Sequence, residues 1–187
     1  MNIETEIKLA IKSSTINELI KKIEEVYDCK KTEPFRQITH QFFLEDYTKQ
    51  NIFPRIRNEE DGRTTLTVKV KLNEKTNFFK RREMETGIDA VEQVMAMMPF
   101  LGFTKKISWE KKRQSFLMRT TDNIKLFLDE TPMGWFLEIE GDEKNIEAAI
   151  AKLGLQESKR INKAYLGLWE EYKKINNIAK EDMMFSE

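Results

Sequence analysis

The chain has 187 residues, 40% apolar and 34% charged, which is enough for one domain with a sizeable core. Lysine plus arginine and aspartate plus glutamate both number 32, and this zero balance argues against a protein that works by coating a nucleic-acid backbone. Cys29 and His40 are the only residues of their kinds, which excludes an intramolecular disulfide and multi-Cys or multi-His zinc sites. Any metal would be held mainly by carboxylates, which favours magnesium, manganese or calcium. No apolar run approaches a membrane span, and the charged start MNIETEIK has no signal core. Together with the lone cysteine, this sets the expectation of a cytoplasmic protein without membrane partners.

In chain order, residues 3–9 alternate strictly and predict a strand. A helix is predicted over 15–27, with Thr15 and Glu18 in capping-box spacing. Strands are predicted near 36–45, 53–59, 64–72 and 78–87, with turns at Asp61-Gly62 and around Asn73–Asn77. A second helix is expected over 90–98, capped by Asp89 with Glu92 and ended by Pro99. Strands near 105–118, 123–130 and 135–141 follow, joined through Asp122-Asn123 and Pro132-Met133-Gly134. Helices over 143–153 and 161–175 complete the domain, expected to span 1–175, and residues 176–187 read as a frayed tail.

Side chains alternate across a strand, so residues two apart share a face. By that rule Glu4, Glu6 and Lys8 lie together, as do Arg55 and Arg57, Lys69 and Lys71, and Arg81, Glu83 and Glu85. Lys111 and Arg113 repeat the pattern, as do Glu138 and Glu140, while Asp129 shares a face with Phe127. For any single strand, a solvated sheet face explains such charges. The whole set is explained less well that way, because like charges recur in pairs that repel unless something needs them together. If the strands close into a barrel with helices outside, the charges line a wet lumen. Arginine and lysine match phosphate oxygens, and paired carboxylates match the divalent metals that bridge phosphates.

These residues resemble the CYTH family, or triphosphate tunnel metalloenzymes. Glu4-Thr-Glu6-Ile-Lys8 matches its ExExK signature. Arg55-Ile-Arg57, Lys69-Val-Lys71, Arg81-Arg-Glu83-Met-Glu85 and Lys111-Lys-Arg113 with Phe116 resemble its successive strands. Leu128-Asp129 through Gly134-Trp-Phe-Leu-Glu138-Ile-Glu140 resembles its acidic hairpin, and Lys163-Ala-Tyr165-Leu its closing helix start. ExExK alone is weak; seven motifs in order, reaching to about residue 172, are specific.

The resemblance implies an α+β fold: an eight-stranded antiparallel β-barrel, a tunnel with a charged interior and helices packed outside. It implies triphosphate contacts from Lys8, Arg55, Arg57, Lys69, Lys71, Arg81, Lys111, Arg113 and Lys163. It implies metal ligands among Glu4, Glu6, Asp129, Glu138 and Glu140, supported by Glu83 and Glu85, with Lys8, Glu138 and Glu140 nearest the chemistry. The implied cofactor is Mg2+ or Mn2+, two ions, and the implied partner a nucleotide or inorganic triphosphate, with a homodimer as a further expectation. The family includes class IV adenylate cyclases, thiamine triphosphatases and tripolyphosphatases; spacing and length lean to the cyclase branch, with hydrolysis the alternative. A non-catalytic polyphosphate- or nucleotide-binding module is a third reading, weakened by the intact glutamate pairs. Two departures stand out: His40 and Phe42 fall where the family often carries an acidic residue and a tyrosine, and Lys163 stands where serine is common. Outside this pattern, Trp109, Trp135 and Trp169 read as packing residues, Met95, Met97 and Met98 as core filler, and Lys21-Lys22 and Lys173-Lys174 as solvated faces.

Overall fold

A computed structural model describes residues 2–46, 50–72, 77–119 and 123–186. Strict alternation in the first segment gives β1 (Asn2–Ile11), and the same logic gives β3 (Phe35–Phe43), β4 (Ile52–Glu59), β5 (Thr64–Lys71), β6 (Phe79–Gly87), β7 (Lys105–Met118), β8 (Ile124–Thr131) and β9 (Gly134–Gly141). They pair antiparallel in the order β1-β6-β5-β4-β3-β7-β8-β9, and β9 pairs back onto β1 from Glu6↔Glu140 to Ile11↔Trp135. This closes the eight-stranded barrel that the charge pattern implied.

Two short strands escaped the sequence reading. Cys29–Lys31 (β2) extends the β3 side of β7, and Arg160–Ile161 (β10) pairs with Lys8 and Leu9 of β1. The last helix therefore starts at Tyr165 rather than 161. The expected turn around Asn73–Asn77 and the Asp122 half of the Asp122-Asn123 turn lie outside the described residues, apart from Asn77 and Asn123. At the top of β9, a Cβ on Gly141 would stand 2.9 Å from the Asn123 carbonyl oxygen, so only glycine fits that approach.

The helices are α1 (Ile16–Val26), α2 (Val91–Met97), α3 (Glu143–Lys152) and α4 (Tyr165–Asn176). Leu19 and Ile23 of α1, and Ile146, Ala149 and Ile150 of α3, bury against Ile7, Leu9, Leu126, Leu128, Leu137 and Ile139. These are the outward aliphatics of β1, β8 and β9, so the hydrophobic core lies between barrel and helices, not inside the barrel. Neither expected capping box forms: the Thr15 side chain donates to the Lys12 carbonyl, and Ala90 rather than Asp89 precedes α2. Asp142 does cap α3, accepting from the Asn145 amide at 2.8 Å.

The segment expected to fray from Asn176 is laid against β7. Met183 is fully buried and exchanges backbone hydrogen bonds with Ser108 and Glu110, filling the edge of β7 beyond the end of its β8 pairing. Trp169 anchors this strap by donating to the Glu181 carbonyl. Lys173 is buried by it and pairs with Glu170, so it is not a solvated residue. Met98 is buried as core filler, but Met97 is 56% exposed. Among the described residues no helix is long and apolar enough to cross a membrane.

Candidate active site

The barrel encloses a cavity of about 1250 Å3. Because the pleat alternates, each strand sends every second side chain into it. Glu4, Glu6 and Lys8 enter from β1, Arg55 and Arg57 from β4, Lys69 from β5, and Arg81, Glu83 and Glu85 from β6. Lys111 and Arg113 enter from β7, and Glu138 and Glu140 from β9. These are the residues that alternation selected.

Several of them neutralise one another. Asp129, fully buried, takes Arg113 in a fork, Nε to Oδ1 at 2.7 Å and Nη2 to Oδ2 at 2.8 Å. It also accepts from Lys111 at 2.8 Å and from the Tyr165 hydroxyl at 2.7 Å. Glu138 accepts from Arg113 at 2.8 Å and faces Lys8 at 3.3 Å, while Lys8 also bonds Glu6. Lys69 bonds Glu4 and lies 3.3 Å from Glu83, which also takes Arg55 at 3.2 Å.

Burial alone would raise Asp129 and Glu138, but the cations outweigh it: Arg113 and Lys111 hold Asp129 below the usual carboxylate range, and Lys8 and Arg113 hold Glu138 well below it. Asp129 and Glu138 are thus committed to cations in this structure, rather than standing free for a metal.

Two further groups of charges face the cavity. Ligand oxygens of Glu4, Glu6 and Glu140 lie within 4.8 Å of one another. Burial, then Glu138 and Glu4, push Glu140 up to about 7. Each of the three already meets an ammonium, Glu4 that of Lys69, Glu6 that of Lys8 and Glu140 that of Lys125, and the three converging oxygens form a donor set that suits a hard divalent cation. Arg57 has no carboxylate partner among the described residues, and its Nε is buried without an acceptor. Burial, then Arg55 and Arg113, lower it to about 9. Arg81 is stacked between Phe53 at 4.9 Å and Phe79 at 4.4 Å, with one Nη buried and unpaired. Lys111 is lowered to about 7 by burial and then by Arg113.

Two expected phosphate contacts are missing, and the two departures on β3 lie off the tunnel face. Lys71 is exposed at the end of β5 and does not line the cavity. Lys163 lies outside, bonded to Glu171. His40 faces away from the tunnel, its Nδ1 3.0 Å from the Ser108 hydroxyl, and Phe42 is buried under α2. The β3 residues on the tunnel face are Gln37, Thr39 and Gln41, since Thr39 pairs with Arg57 and Trp109, and Gln41 with Arg55.

Sequence reasoning also missed Lys125 and Glu59. Alternation from Asp129 could have found the first, and alternation from Arg57 the second; Phe127, which alternation placed on the Asp129 face, lines the cavity. Tyr165, which the sequence marks only as part of a helix start, lines the tunnel and donates to Asp129. It stands beside Trp109, with ring centroids 5.8 Å apart, so Trp109 is a wall residue as well as packing.

The CYTH domain model matches residues 2–165. Among solved structures, a protein of Pyrococcus horikoshii is 25% identical, covering 90% of this chain and 99% of its own, with a TM-score of 0.66. A candidate adenylate cyclase of Vibrio parahaemolyticus is 17% identical over 90% and 98% of the two chains, with a TM-score of 0.71. A Hippeastrum protein, described as an adenylyl cyclase candidate with dominant triphosphatase activity, is 15% identical over 92% and 96%, with a TM-score of 0.63. No curated protein matches the chain. With residues 2–165 matched and the tunnel present, the chain belongs to the CYTH family.

Proposed function

We propose that this chain is a divalent-metal-dependent enzyme that acts on a linear triphosphate inside the tunnel. The observation that carries this reading is a lumen that holds both kinds of site: among the described residues Arg57 and Arg81 lack carboxylate bonds, and the carboxylate oxygens of Glu4, Glu6 and Glu140 converge within reach of one ion. A triphosphate with Mg2+ or Mn2+ suits both at once. Glu4, Glu6 and Glu140 would hold the ion, which when bound would polarise phosphoryl oxygens and orient the attacking oxygen.

The chain's own groups do the rest. Arg55, Arg57, Arg81 and Lys69 bind and neutralise the phosphate oxygens, and the Asp129 fork fixes Arg113 so that its direction is set before substrate arrives. Lys8, held in its charged form by Glu138 and Glu6 despite burial, presents an ammonium beside the metal ligands. The lone Cys29 thiol suits a reducing compartment, in keeping with a cytoplasmic protein.

The preferred reaction is conversion of ATP to cyclic AMP and pyrophosphate. The cavity exceeds what an inorganic triphosphate fills, and Phe35, Phe127 and Leu117 give its lining apolar surface for a base. Hydrolysis is the second reading, supported by the dominant triphosphatase activity ascribed to the Hippeastrum protein. One product assay separates them: ATP with Mn2+ yields cyclic AMP and pyrophosphate in the first case, ADP and phosphate in the second. Absence of any turnover of ATP or tripolyphosphate would overturn both.

A further inference from the structure

Lys125 belongs to none of the motifs that carry the family resemblance, yet it enters the cavity from β8 opposite Glu140 of β9. Its ammonium stands 3.1 Å from Glu140 Oε2. The two partners differ sharply in exposure: the Lys125 side chain is 71% exposed, that of Glu140 11%. Glu140 is one of the three carboxylates whose oxygens converge. Of the other two, Glu4 is bonded by Lys69 and Glu6 by Lys8, and both those lysines are themselves largely buried. Among the described residues, Lys125 is therefore the cation on this trio that can swing into water at little cost, because a long exposed side chain gains rotamer freedom when it leaves.

We propose that Lys125 is a resident counter-cation of the acidic trio: it occupies Glu140 until a divalent ion displaces it, and then turns to the phosphate chain at the tunnel mouth. It is a positioning residue, acting on the metal through Glu140. The inference rests on the metal-site reading given above.

A monovalent ammonium and a divalent ion compete for the same carboxylate, so Lys125 sets the metal affinity lower than the trio alone would give. That keeps the ion exchangeable until a triphosphate arrives, whose oxygens offer the ion further ligands and the ammonium a new partner.

The test is Mn2+ binding to the substrate-free protein, followed by electron paramagnetic resonance of free Mn2+. In Lys125→Met the dissociation constant tightens by about fivefold, the size of a partly exposed ion pair. Lys125→Arg restores the parent value, since it keeps the charge and the reach. An unchanged or weaker constant in Lys125→Met overturns the role of Lys125 while leaving the site standing. If the parent protein binds no Mn2+, and Glu140→Gln behaves the same, the metal site itself is refuted and the inference falls with it.

Discussion

Arg113 and Asp129 form a two-pronged ion pair at 2.7 and 2.8 Å inside the barrel wall, with neither side chain more than 7% exposed. Asp129 is also the acceptor for Lys111 and Tyr165, so one carboxylate compensates two buried cations. Asp129→Asn leaves both with reduced compensation. We expect a loss of about 3 kcal/mol in urea unfolding. A loss below about 1 kcal/mol would show that the cations relax into the water of the tunnel.

Glu140 is the opposite case. Its folded pKa, about 7, lies above the ordinary value of 4.5. The native state thus holds a proton that the unfolded chain releases, and stability falls as pH rises from about 4.5 to about 7. Above that window the full cost is present. Glu140→Gln removes it, so the metal-free variant at pH 8 should melt no lower than the parent. It should also lose most of the thermal shift that Mg2+ gives the parent.

Proton counts separate the two halves of the site. At pH 6, Mg2+ binding should release protons as Glu140 ionises to take the ion. At pH 8, tripolyphosphate without metal should take protons up, because anionic oxygens raise Lys111 from about 7. Titration calorimetry in buffers of different ionisation enthalpy reads both signs. Equal signs would contradict the assignment.

The strap makes a structural prediction. Met183→Ala empties a fully buried site against Trp109 and Trp169, and should cost about 2–4 kcal/mol. Triphosphate affinity should fall with it, because Trp109 lines the tunnel beside Tyr165.

His40 provides a negative control. Burial, then Lys106, lowers its pKa, and it faces outward. His40→Gln should leave KM and kcat within about twofold and remove no inflection from the pH profile. A larger effect would place β3 in the wrong register.

Most of the barrel was legible because β1, β4, β5, β7 and β9 alternate long charges with aliphatics, and that pattern survives any tertiary context. β3 was legible as a strand but not in its phase: Gln37, Thr39 and Gln41 alternate with Ile38, His40 and Phe42, polar atoms fall on both faces, and only the pairing of Thr39 with Arg57 reveals which face is inside. β2 and β10, at three and two residues, carry no period to read. Lys71 and Lys163 have the right chemistry but sit past the reach of the lumen, which depends on strand length rather than on residue type. The strap was illegible for another reason. Its burial comes from the unfilled edge of β7, which the tail's own polar sequence does not announce.

The seam between β1 and β9 joins residues more than 120 positions apart along the chain. Every other wall of the barrel except β1–β6 and β3–β7 links strands that follow directly in sequence. On a ribosome, the first strand must therefore wait with one hydrogen-bonding edge bare until the ninth has emerged. Within the eight-stranded ring this seam is the longest-range pairing, and the acidic trio, whose members straddle it, comes together only when it closes.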